Sequence, residues 1–168
     1  MNIVAQIFGF IALIFYIITL QMNNKQNLLI FLIITNVFYS LQYLMLDAYS
    51  ALFVSLIGTV RSIIFLKFEK EKKDVPLYVL LIIFGILLYS GILSYSGILS
   101  LLPLSLGFLY SWAVWQKKLK KFRIVCIINA FCWIFYNYII GAYVGILSSI
   151  IEFCFSILSL IKFDLKKQ

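Results

Sequence analysis

Apolar residues fall into seven blocks separated by short polar breaks: 3–20, 28–46, 49–68, 75–93, 97–115, 122–140 and 142–161. A bilayer core about 30 Å thick takes about 20 helical residues to cross, and each block has that length. The fourth and fifth blocks come from one uncharged run, 75–116. At about 1.5 Å per residue it would extend about 63 Å, which is two crossings. The break between them falls at Ser94-Tyr95-Ser96-Gly97, inside a tandem YSGILS. The pattern predicts an all-α integral membrane protein with seven transmembrane helices. These form a single domain, 1–168, with no Pro-, Gly- or Ser-rich linker and no room for a soluble catalytic module.

Composition agrees. Of 168 residues, 64% are hydrophobic and 12% charged, against roughly half and a quarter in soluble domains. A soluble enzyme, a secreted disulfide scaffold and a disordered chain are excluded. The chain has no His, which removes His-based catalysis and the common His-ligated metal sites. Neither a metal nor a cofactor is expected, and the reading is non-enzymatic. Cys126, Cys132 and Cys154 lie inside apolar blocks, and an odd number does not make a disulfide framework. The N-terminus lacks the basic region and cleavage site of a signal peptide, so the first helix is expected to be retained.

Charge placement sets the orientation. The net charge is +8, from 14 Lys and Arg against 6 Asp and Glu. With seven crossings, Lys25 and the clusters at 67–73, 117–123 and 162–167 all fall on one side, leaving only Arg61 inside a helix. Merging the fourth and fifth blocks would divide them between two faces. The positive-inside rule therefore predicts the N-terminus outside and the C-terminus inside. Clusters between apolar runs suit a membrane face, so the expected partner is the lipid bilayer and not a nucleic acid; a homo-oligomer is compatible.

Two turns look alike, LDAYSALFVSLI and IGAYVGILSSII. An offset of 94 residues, which lays Tyr49 on Tyr143, also superposes Tyr16 on Tyr110, Ile33 on Ile127, Ala48 on Ala142, Ser55 on Ser149, Ser62 on Ser156 and Leu66 on Leu160. The chain then reads as a triple-helix repeat over 1–68, an inversion helix over 75–93 and a second repeat over 97–163. One intervening crossing makes the triplets parallel, a plan in which transporters place a site between the repeats near the midplane. This 3+1+3 arrangement resembles the SWEET, SemiSWEET and PQ-loop (MtN3-like) superfamily. NAFCWIFYNYIIGAYVGILSSIIE resembles the last two helices of the YgjV family of bacterial inner-membrane proteins, and LIGTVRSIIF its Arg-bearing segment. Leu20-Gln21 and Trp115-Gln116 stand where the superfamily has Pro-Gln, and Pro76 and Pro103 are the only prolines, too few for the superfamily's proline tetrad. The resemblance implies the architecture and a location in the bacterial cytoplasmic membrane.

A few polar residues do not belong in lipid. Glu152 is ten residues before Lys162, about 15 Å along the helix and near mid-bilayer. A charge there costs about 2.5–3.5 kcal/mol on insertion scales. Arg61 lies six residues before Lys67, and its side chain tilts toward the helix N-terminus, hence toward the level of Glu152. The two are expected to form a buried ion pair; the competing reading has Arg61 snorkelling to the headgroups. Asn129, Trp133 and Asn137 recur at i, i+4, i+8 on one face, and their counterparts Thr35, Tyr39 and Tyr43 share another. With Glu152, these six form a candidate pocket for a small polar solute, an aromatic surface flanked by amides. The same residues also suit plain interhelical hydrogen bonding. Tyr49, Tyr95, Tyr143 and Trp115 read as interfacial anchors, and Ser55, Ser62, Ser149 and Ser156 as close-packing positions. The reading is a facilitator for a sugar, a nucleoside-like vitamin or a related metabolite. Its alternative is a noncatalytic membrane scaffold or accessory subunit.

Overall fold

The computed structural model of the chain describes residues 3–95, 97–139 and 143–165. Every element among them is helical: α1 (Ile3–Gln21), α2 (Lys25–Met45), α3 (Tyr49–Lys70), α4 (Leu77–Leu93), α5 (Leu101–Trp115), α6 (Leu119–Ile139) and α7 (Tyr143–Leu160). A 3-10 turn, Ile98–Ser100, leads into α5, and a π-helical turn, Ile161–Leu165, follows α7. Six of these stretches are long and apolar enough to cross a membrane. The exception is α4, with 17 residues, about 25 Å at 1.5 Å each. It is shorter than its apolar block because Pro76 stays extended, at ψ 150°, and starts the helix only at Leu77.

Local chemistry sets the breaks. Asn24 caps α2 by accepting from the Gln26 backbone N–H at 2.8 Å. Asp47 takes the left-handed conformation, φ 53°, to reverse the chain between α2 and α3, which a short polar side chain tolerates better than an apolar one. Gly97 sits at φ 130°, so the break within the tandem YSGILS is a backbone only glycine adopts readily. Pro103 occupies the first turn of α5, where its missing N–H leaves no helical bond unmade. The expected turn around 140–142 lies outside the described residues.

Packing closes six helices into a ring in the order α1, α2, α3, α5, α6, α7 and back to α1. Within each triplet the middle helix, α2 or α6, touches both neighbours. The triplets meet along two seams, α1 on α7 and α3 on α5. Helix α4 stands outside the ring against α3 and α5; its Leu80, Ile83 and Leu87 join the core, and of these Leu87 also lines the interior cavity.

The ring's two ends differ. One carries the basic residues, and its half of the bundle is filled by an apolar core that includes Leu20, Leu29, Leu32, Phe65, Leu80, Val114, Phe122 and Cys126. Polar contacts tie this end together. Gln21 Nε2 donates to Ser159 Oγ at 2.7 Å and Lys25 Nζ to the Gln116 carbonyl at 2.9 Å. Trp115, expected as an interfacial anchor, donates through Nε1 to the Val75 carbonyl at 2.9 Å. Arg123 is 2% exposed; it bonds Asp164 at 2.6 Å and the Met22 carbonyl at 3.1 Å, with its guanidinium 4.8 Å from the Phe163 ring. On the surface, Lys117 pairs with Asp74 and Lys73 with Glu71. The Lys73 bond holds the Glu71 carboxyl below the usual carboxylate range.

Candidate functional site

The half of the ring without the apolar core encloses a cavity of about 550 Å³. It runs from mid-bundle, at Tyr16, Arg61, Ser111 and Glu152, to the α2–α3 turn at Leu46 and Ala48. A second hollow of about 430 Å³ adjoins it there and shares Ala48, Ala51 and Tyr136 with it. Thr35, Tyr39, Tyr43, Asn129, Trp133, Asn137, Glu152 and Arg61 all line the main cavity. The i, i+4, i+8 spacing explains this for α2 and α6, because such residues keep one face of a helix and these faces point into the ring.

The walls are distinct. On α2, the rings of Tyr39 and Tyr43 stack with centroids 6.0 Å apart. On α6, Trp133 meets Tyr136 edge to face at 5.2 Å. Arg61 comes from α3, is 3% exposed, and donates from Nη1 to Ser111 Oγ at 2.8 Å. Its guanidinium also lies 5.2 Å from the centre of the Tyr110 ring, an attractive cation–π geometry. Glu152 comes from α7 and lines the same cavity as Tyr16.

The expected Arg61–Glu152 ion pair is not formed. Among the described residues the ion pairs are Lys73–Glu71, Lys117–Asp74 and Arg123–Asp164. The reason lies in the ring order. Helices α3 and α7 are opposite members of the six, so the two side chains share a depth but occupy facing walls. Arg61 turns to α5 for its partners. Gly58, one 94-residue offset from Glu152, receives Asn36 on its open face: a Cβ there would lie 3.1 Å from Asn36 Nδ2.

Several lining residues were not singled out from the sequence: Gln6, Tyr16, Asn36, Gln42, Tyr110 and Tyr136. Gln42 and Tyr136 are 94 residues apart, as are Tyr16 and Tyr110, so that offset was the signal the sequence offered. Six lining side chains carry a buried polar atom without a hydrogen-bond partner: Gln6 Oε1, Thr35 Oγ1, Asn36 Nδ2, Arg61 Nε, Tyr110 Oη and Asn129 Oδ1. Buried polar atoms in proteins are nearly always bonded. A roomy cavity whose largely apolar lining carries this many unbonded donors and acceptors is suited to a small occupant with both apolar and polar groups.

A helical bundle of six membrane-length helices around an interior cavity is the body of a multi-pass membrane protein. The model of the Imp-YgjV family, bacterial inner membrane proteins, matches residues 3–167, and the chain belongs to that family. It is a multi-pass protein of the bacterial inner membrane. No curated protein matches the chain, and no solved structure does.

Proposed function

We propose that the protein is a facilitator that moves a small polar metabolite across the inner membrane by alternating access, without catalysis or a cofactor. In this reading α4 is the seventh crossing, the N-terminus is outside, and α1–α3 and α5–α7 are parallel repeats on a plan resembling the SWEET and PQ-loop superfamily. The ring order supports the repeat: exchanging α1 with α5, α2 with α6 and α3 with α7 carries one seam, α1 on α7, onto the other, α5 on α3. The observation that carries the function is the cavity between the triplets, which reaches one end of the bundle while apolar core fills the other. By the positive-inside rule the filled end is cytoplasmic, so this is the outward-facing state. Transport follows when the triplets rock, parting Gln21 from Ser159 and Lys25 from Gln116.

The test is uptake of radiolabelled sugars, nucleosides, vitamins and amino acids into proteoliposomes holding the purified protein. Saturable uptake of a defined solute, lost in Trp133→Ala, is the expected result. A protein that moves none of them, in vesicles where its folding is verified, would be the scaffold or accessory subunit instead.

A further inference from the structure

The four walls of the cavity have different chemistries, and their order around the ring is informative. Helices α3 and α7 face each other, as do α2 and α6. Arg61 therefore stands across from Glu152, with the Tyr39–Tyr43 stack and the Trp133–Tyr136 pair on the two walls between. Arg61 is held in place by Ser111 and Tyr110 while its Nε has no hydrogen-bond partner. No carboxylate lies within ion-pair distance of it among the described residues. A guanidinium offers parallel donors that match the two oxygens of a carboxylate. The opposite wall offers a carboxyl acceptor beside aromatic faces, a setting that favours an ammonium group.

We propose that the transported solute is a small zwitterion, its carboxylate on Arg61, its ammonium on Glu152 and its body between the aromatic walls. This rests on the transport reading and narrows it. Sugars and nucleosides, which lack both charges, would leave Arg61 and Glu152 without a counter-charge, whereas a zwitterion answers both. Each end of the solute then meets a complementary group at the mid-bundle end of the cavity, between aromatic side chains.

The experiment is ligand-induced thermal stabilisation of the full-length protein in lipid nanodiscs, followed by titration of tryptophan fluorescence. The probes are the individual L-amino acids, with glucose and uridine as neutral polar controls. Each amino acid that binds is then compared with its amide, which lacks the carboxylate, and its N-acetyl derivative, which lacks the ammonium. The expected result is binding of at least one amino acid, with each derivative weaker by about tenfold or more, since a hydrogen bond to a charged group is worth about 1.5–3 kcal/mol. Arg61→Gln should equalise acid and amide, and Glu152→Gln should equalise the acid and its N-acetyl derivative. If Arg61→Gln does not fold, Ser111→Ala keeps the charge but frees the guanidinium, and should shrink the preference for acid over amide. Equal binding of acid and amide by the unaltered protein would overturn the proposal, as would an Arg61→Gln variant that folds and keeps the preference. Stabilisation by glucose or uridine alone overturns the zwitterion and leaves transport standing. No binding and no uptake of any probe removes both.

Discussion

Three amide side chains line the cavity by lying against glycines. Asn36 packs on Gly58, Gln42 on Gly9 and Asn137 on Gly145, where a Cβ would come within 2.8 Å of Asn137 Cγ. Small residues let helices approach and give interior polar groups a place to sit. Asn137 Nδ2 also donates to Ser149 Oγ at 3.1 Å, and Ser149 donates in turn to the Gly145 carbonyl at 2.9 Å. Gly145→Ala separates packing from site. Alanine is favoured in a helix by about 0.8–1 kcal/mol, and an interhelical hydrogen bond in a membrane is worth about 0.6. The two nearly cancel, so the melting temperature should stay close to that of the parent while the displaced Asn137 lowers solute affinity. A large loss of stability would show instead that the Asn137–Gly145 contact is structural. At this scale the cavity was partly legible in the sequence. Thr35, Tyr39, Tyr43, Asn129, Trp133 and Asn137 declare themselves by spacing. The partner of Arg61 does not, because depth along a helix says nothing about which wall the helix forms.

Among the elements, the π-helical turn Ile161–Leu165 is the one the apolar pattern missed. It brings Asp164 to Arg123, which counted in the sequence as one more surface cation and is in fact buried. Charge counting finds the side of the membrane but not the pairing, which depends on how α7 ends. Removing one member of a buried pair typically costs about 3–5 kcal/mol. Asp164→Asn should therefore lower the melting temperature strongly, and combining it with Arg123→Met should restore much of the loss. The exposed Lys117–Asp74 pair offers the contrast: Asp74→Asn should change stability by less than about 1 kcal/mol. Equal effects at Asp74 and Asp164 would mean that the Arg123 contact is screened like a surface pair. The limits of the other helices followed the apolar blocks to within a few residues, since lipid length and turn residues fix them. Helices α3 and α6 extend past their blocks through Lys70 and Lys120–121.

For the whole molecule, orientation is open to direct measurement. In a background without Cys126, Cys132 and Cys154, single cysteines at Ala48 and Lys118 should react with impermeant reagent from opposite sides of the membrane. Labelling from the same side would remove the seventh crossing and the parallel repeat with it. The all-helical, multi-pass architecture was readable in outline because lipid thickness acts on composition alone. The ring order was not, since every helix is apolar enough to occupy any place in it.

The position of α4 makes two related seams unequal. Where α3 meets α5, a seventh helix braces the joint from outside, and Leu87 wedges into it within 3.5 Å of where a Gly107 Cβ would sit. Where α1 meets α7 there is no such splint. In the transport reading, a pair of halves clasped along one edge and free along the other would move like a book, with its spine at α3–α5 and its opening edge at α1–α7. A disulfide between cysteines at Gln21 and Ser159 should then stop uptake until it is reduced. One between Val54 and Gly107, on the spine, should leave most of the flux. In the transport reading, the single helix outside the ring decides which edge turns the page.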